Sequence, residues 1–175
     1  KIFTEDLFYM TDEATGYYRP MQALSYMVDY FLWGHIPLGY HITNFIIQIF
    51  NSALVFFLCL LLLKDKLKSF FAAAVFCVHP AFVAVVTYIS GRADLLGMTF
   101  SLAAIYAVMR YMVNGKWAVG AWLSVPLYIL AVISKEYYLI APLFILFFLF
   151  VYRGIYRADR TVKLALTGML LVVII

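Results

Sequence analysis

Hydrophobic positions in this chain fall in long, nearly unbroken runs separated by short polar gaps. A helix needs about 20 apolar residues to cross a hydrocarbon core of roughly 30 Å, and residues 43–63 supply them without a single charge. A second run, residues 69–89, contains His79 and Pro80. Proline lacks the N–H that an α-helix needs and clashes with the preceding turn, so this run is predicted to be a span broken at that dipeptide. Residues 93–113, 118–134 and 137–152 are the next spans, and a further one starts at about residue 162.

Residues 1–42 have a different pattern, in which aromatic and charged residues alternate. From Gln22 to Trp33 the apolar side chains return at three- and four-residue steps, which predicts a helix lying in the membrane interface with Tyr and Trp at headgroup level. Gly34, Pro37 and Gly39 are expected to end it before the first span. The expected fold class is thus an all-α integral membrane protein: an external loop over residues 1–42 with an interfacial amphipathic helix, then a multi-span helical bundle over residues 43–175. Composition agrees, with 66% hydrophobic and 13% charged residues against roughly 45–50% and about 25% in soluble domains. The chain opens at Lys1 and stops inside the apolar run Leu170 to Ile175, the pattern expected of a piece of a longer protein.

A net charge of +4 would suggest nucleic acid in a soluble chain, but here the basic residues sort by gap. Lys64, Lys66, Lys68, Arg110, Lys116, Arg153, Arg157, Arg160 and Lys163 share alternate gaps with only Asp65 and Asp159. The other gaps hold Lys1, Arg19, Arg92 and Lys135 against seven acids. Cytoplasmic loops carry the excess of Lys and Arg, so residues 1–42, about 79–93 and 134–136 are expected to face the exterior, periplasm or lumen. No nucleic-acid partner is expected. Cys59 and Cys77 lie inside apolar runs without metal spacing or a disulfide framework. The sequence contains no phosphate-cradling glycine loop, zinc-protease helix or serine elbow.

Ionisable groups at membrane depth are costly and commonly face a cavity or a partner, which singles out four basic residues on the outer side. Arg19 precedes Pro20 at a helix start and suits either lipid headgroups or a bound phosphate. His79 suits either a neighbouring helix or a substrate. Arg92 follows Ser90-Gly91 and precedes Asp94. Asp94 is accounted for by the dipole of the helix it opens, whereas Arg92 at that positive helix end asks for an anion. Lys135 and Glu136 form a charged turn between two spans, either snorkelling as a pair or facing the same outer cavity. Glu5 and Asp6, with Asp12 and Glu13, are the carboxylates of the long outer loop suited to proton transfer.

The order of these motifs resembles a known family. Tyr18-Arg19-Pro20, Gly39-Tyr40-His41 with Asn44, His79-Pro80, Ile89-Ser90-Gly91-Arg92-Ala93-Asp94-Leu95-Leu96 and Ser134-Lys135-Glu136 are similar to the membrane domain of the transmembrane and tetratricopeptide-repeat proteins of the GT-C glycosyltransferase superfamily. The resemblance covers most of residues 17–142. It implies a GT-C bundle in the endoplasmic reticulum or bacterial inner membrane that transfers a sugar, with inversion, from a polyprenyl-phosphate carrier to a protein or glycan hydroxyl on the external or lumenal face. Under it Arg19, His79, Arg92 and Lys135 are lipid-phosphate or substrate contacts, with Asp94 and Glu136 as supports. Glu5 and Asp6 are the catalytic acids within this sequence, the family's principal base following a span that would precede residue 1. No metal site and no cofactor beyond the donor lipid are expected, and a divalent-metal requirement is left open. Two other classes fit the pattern without the resemblance: a transporter or flippase component, whose polar groups would spread through both halves of the spans, and a non-catalytic scaffold, whose charges would share no cavity.

Overall fold

A computed structural model describes residues 19–114, 118–151 and 160–174, and every regular element among them is helical. Helix α1 (Pro20–Trp33) starts on a proline, whose fixed φ suits the first helical position and whose missing N–H would be unpaired there anyway. It stops at Gly34, which takes φ 59° and returns its N–H to the Tyr30 carbonyl at 2.8 Å. The interfacial helix expected from Gln22 thus begins two residues earlier. Helix α2 (Pro37–Leu63) begins six residues before the expected span. Pro37 sits in its first turn and Gly39 inside it, so of the three expected breakers only Gly34 breaks the chain.

Helix α2 ends at Lys64, a non-glycine residue in the left-handed region (φ 55°). The next residue, Asp65, caps helix α3 (Lys66–Val78) by accepting from the backbone N–H groups of Leu67 (2.9 Å) and Lys68 (3.2 Å). The Lys68 N–H is the chief cause that holds the Asp65 carboxyl below the usual carboxylate range, with the Lys68 ammonium 3.3 Å away assisting. Helix α3 gives way at His79 to the short helix α4 (Pro80–Thr87), and the pair is bent by 49°. The broken form expected at His79-Pro80 is the one observed.

A 3-10 turn, Ile89–Gly91, leads without a gap into helix α5 (Arg92–Asn114). Helix α6 (Ala118–Ser134) matches its expected bounds and accommodates Pro126. A second 3-10 turn, Glu136–Ile140, opens helix α7 (Ala141–Val151), and helix α8 (Arg160–Ile174) packs on α6. The main core lies between α5, α6, α7 and α8, around Val108, Tyr128, Ile145, Val162 and Met169.

Among the described residues two helical stretches, Pro37–Leu63 and Ile89–Asn114, are long and apolar enough to cross a membrane, and the bent α3–α4 pair adds a third if it forms one span. Helix α6 and the stretch Glu136–Phe148 are shorter apolar helices. Burial is inverted relative to a soluble protein: Gln22, Asp29, Asn44, Gln48, Asn51 and Arg92 are inside, while Phe31, Val75, Phe147 and many other large apolar side chains are outside. That distribution suits a hydrocarbon solvent, in which polar groups must be satisfied within the protein. The chain is a membrane protein.

The junction between α4 and α5 is tight. A Cβ added at Gly91 would lie 2.1 Å from the Val85 carbonyl oxygen, a backbone atom that cannot swing aside. Gly91→Ala should therefore lower thermal stability by about 1–3 kcal/mol, read as a reduced melting temperature in detergent. Asp65 gives a pH-dependent test. Its carboxyl is depressed on folding, so its contribution is present above the unfolded pKa and lost as pH falls through the folded value. Asp65→Asn, which can still cap, should flatten the acid limb of a melting-temperature profile.

Candidate functional site

Two polar stripes converge on the α4–α5 junction. On α1, Gln22, Tyr26 and Asp29 are spaced i, i+4, i+7 and so share one face. Tyr26 donates its hydroxyl to the Ile89 carbonyl (2.7 Å), and Gln22 donates its amide to the Ser90 carbonyl (3.1 Å) and the Tyr26 hydroxyl (2.8 Å). Burial holds the Tyr26 phenol above the usual tyrosine range, so it stays a donor. On α2, Asn44, Gln48 and Asn51 repeat the same spacing. Asn44 donates to the Tyr88 carbonyl at 3.0 Å, and Asn51 donates to the Leu95 carbonyl at 3.2 Å while accepting from Thr99 at 2.6 Å.

Arg92 stands where the stripes meet, at 0% exposure. One terminal nitrogen, Nη2, donates to Asp29 Oδ2 at 2.6 Å and to the Tyr40 carbonyl at 3.0 Å, while Nε donates to Asn44 Oδ1. The Tyr26 ring lies 5.5 Å from the guanidinium carbon. Asp29, itself 1% exposed, also accepts from the Thr43 hydroxyl at 2.9 Å. The anion that the sequence required beside Arg92 is thus a carboxylate of the chain itself. It escapes a linear reading because it lies 63 residues away in a segment read as outer loop. The i, i+4, i+7 polar spacing in an otherwise apolar helix is the signal that would have found it.

A second cluster forms around the charged turn. Lys135 donates to Asp94 Oδ1 at 2.6 Å, with its ammonium 5.1 Å from the centre of the Tyr137 ring. The Tyr138 hydroxyl donates to the Asp94 carbonyl at 2.8 Å, and its ring fills the space beside Gly97, where a Cβ would lie 2.2 Å away. Arg19 reaches Glu136 at 3.8 Å. The Arg19, Lys135 and Asp94 side chains are 18%, 15% and 32% exposed and Glu136 is 57% exposed, so this cluster is open to the surroundings where Arg92 is not.

The predicted residues therefore fall into three groups. Arg19 with Glu136 and Lys135 with Asp94 form two ion pairs that meet at the Lys135-Glu136 turn, the open cluster. Arg92 is enclosed next to it, two residues from Asp94. His79 stands apart and exposed, its Nδ1 accepting from the Ala81 N–H at 3.3 Å as the cap of α4, its ring 5.8 Å from that of Phe82. Glu5 and Asp6 lie outside the described residues, as do Asp12 and Glu13. Among the described residues no group of three or more His, Cys, Asp or Glu is placed to hold a metal ion.

Over 121 residues, 69% of the chain, the sequence is 35% identical to the protein O-mannosyl-transferase Tmtc1 of Drosophila melanogaster. It is 37% identical over 93 residues to the protein O-mannosyl-transferase TMTC3 of Mus musculus, and 34% identical over 125 residues to a Caenorhabditis elegans protein O-mannosyl-transferase. The chain is homologous to a segment of the TMTC protein O-mannosyl-transferases. It spans 14%, 10% and 17% of the lengths of these three relatives. No protein-family model matches the chain, and no solved structure does.

In this segment of an O-mannosyl-transferase-like protein, the buried Asp29–Arg92 pair has the clearest energetic consequence. Removing one partner of a buried ion pair leaves an uncompensated charge and costs about 3–5 kcal/mol, whereas replacing both by apolar groups of similar volume is often neutral. Arg92→Ala and Asp29→Ala should each sharply lower the melting temperature, and Arg92→Met combined with Asp29→Leu should recover most of it. Equal loss in the double variant would show that the Asn44, Tyr40 and Thr43 contacts, not charge balance, dominate.

Proposed function

We propose that this chain is part of a membrane glycosyltransferase of GT-C type that transfers a mannosyl group from a polyprenyl-phosphate carrier to a Ser or Thr hydroxyl of a protein at the external or lumenal membrane face. The observation that carries this reading is the 121-residue likeness to a protein named an O-mannosyl-transferase. Supporting it, Lys135 pairs with Asp94 and Arg19 with Glu136 around one turn, both basic side chains keeping a minor exposed fraction, at helix ends opposite those that carry Lys64, Lys66 and Lys68. The basic excess of the latter ends argues that they are cytoplasmic, and the cluster then faces outward.

In the proposed step the acceptor oxygen attacks the anomeric carbon as the bond from that carbon to the phosphate oxygen breaks. The acceptor proton goes to a carboxylate, and polyprenyl phosphate leaves with the bonding electrons. Negative charge grows on the departing phosphate, and donors fixed in place beforehand stabilise it more than mobile water does. The Lys135 ammonium and the Arg19 guanidinium are the groups of the right sign and exposure for this role. Asp94 keeps the ammonium at one position without enclosing it. Glu5 and Asp6 are the carboxylates of this sequence assigned the role of base. The requirement for a divalent metal stays open.

In the full-length protein, Lys135→Ala should lower mannosyl transfer from polyprenyl-phosphate mannose to a Ser/Thr peptide by about a hundredfold, the scale expected on removing one charge-stabilising donor. Membrane insertion and the melting temperature should change little, because the ammonium is partly exposed. Transfer at the wild-type rate would remove Lys135 from the mechanism, and absence of transfer by the wild-type protein would overturn the reading itself.

A further inference from the structure

The face of α1 turned away from the bundle carries Met27, Val28, Phe31 and Leu32, between 56% and 88% exposed. Contacts of such a face with lipid are non-directional, so they leave the rotation and axial position of α1 undetermined. What determines them is the opposite stripe, where Gln22, Tyr26 and Asp29 meet Ser90, Ile89 and Arg92. A buried ion pair contributes little net stability relative to well-packed apolar side chains, and its best-attested use is to impose one register. Here the register matters at the start of the helix, because Arg19 is the residue before Pro20 and its guanidinium reaches Glu136 next to Lys135. Asp29 lies ten positions from Arg19, roughly 15 Å of helix.

We propose that Asp29 is a positioning residue of the open cluster: by fixing Arg92 it fixes α1, and α1 carries Arg19 to its place against Glu136, the chain neighbour of Lys135, where it would meet the anionic part of the substrate. The positional half of this proposal stands on the structure alone, and its effect on transfer rests on the function proposed above. Asp29 touches no reacting group. It acts through Arg92 and the helix axis, and the Thr43 hydroxyl orients its second oxygen.

The test separates the two halves. In the full-length protein carrying Arg19→Cys, thiol labelling of position 19 is read by mass spectrometry of the peptide, with and without Asp29→Asn. Asn keeps the shape and the Thr43 contact but removes the charge that holds Arg92. Labelling at residue 19 should rise at least tenfold with Asp29→Asn, while labelling of Cys59 and Cys77, in the α2 and α3 spans, stays as in the parent protein. Unchanged labelling at position 19 overturns the proposal, and a parallel rise at all three positions overturns it too, since that reports general unfolding.

Transfer kinetics supply the second reading. Residues some 15 Å apart with no shared partner normally have additive effects. If Asp29 works through Arg19, the variants Asp29→Asn and Arg19→Ala raise the KM for the polyprenyl-phosphate donor by similar factors, and the double variant is no worse than either. Asp29→Glu, which keeps the charge, recovers part of the loss. Strict additivity of the two variants would assign Asp29 a structural role only. If the wild-type protein shows no transfer while the labelling result holds, the functional reading has failed and the positional one has not.

Discussion

One buried ion pair organises the junction of α1, α2 and α5 in this protein. Asp29 and Arg92 are withdrawn from solvent and lipid alike, in a chain whose outer surface is largely hydrocarbon. Each charge is tolerable there only because the other is 2.6 Å away and because Asn44, Tyr40 and Thr43 satisfy further donors and acceptors. Remove the pair and α1 has only two carbonyl contacts, through Gln22 and Tyr26, to tie it to the α4–α5 junction. The α2 stripe binds the same junction from the other side through Asn44 and Asn51. Three segments distant in sequence are thus held at one point by polar bonds, while the main core between α5, α6, α7 and α8 is built largely of apolar side chains.

This arrangement also divides labour among the basic residues. Arg92 is saturated with partners of the chain itself on two of its three nitrogens and is sealed in. Lys135 has one carboxylate partner and an aromatic ring under its ammonium, and keeps a surface. A guanidinium, planar and always charged, suits the first task, and a flexible ammonium suits the second. Tyr138 links the two regions, since its hydroxyl grips the Asp94 backbone while Asp94 grips Lys135.

The helices were legible in the sequence because their determinants are local. Run length located α2, α5 and α6, and His79-Pro80 marked the break between α3 and α4, with Pro supplying the cause. The start of α2 was misjudged because Pro37 and Gly39 weigh against a helix only in its interior, and here they stand in its first turn. The open cluster was partly legible too, since Lys135, Asp94, Glu136 and Arg19 stood out as charges beside spans. Asp29 did not stand out, because a carboxylate in a long outer segment ordinarily sits in water. Its burial follows from long-range packing of α1 on α2 and α5, for which the only local trace is the spacing of Gln22, Tyr26 and Asp29. His79 stood out for its depth, yet its job in this structure is local, capping the helix that its neighbour Pro80 begins.

The 63-position separation of Asp29 and Arg92 also imposes an order of events in biogenesis. Chains are made from the N-terminus, so α1 exists before α2, α3 and α4 are in place and well before Arg92 is synthesised. During that interval Asp29 lacks the arginine that pairs with it in the folded protein, and an unpaired carboxylate is stable only in water, while the exposed Met27, Phe31 and Leu32 give α1 an apolar face suited to the membrane interface. Arg92 in turn enters as the first residue of α5, at the end of the span nearest water. Only when α5 is seated can both charges leave water together. An apolar face on α1 is thus suited to moor the helix at an interface, which would keep the partner of Arg92 within reach until the arginine arrives.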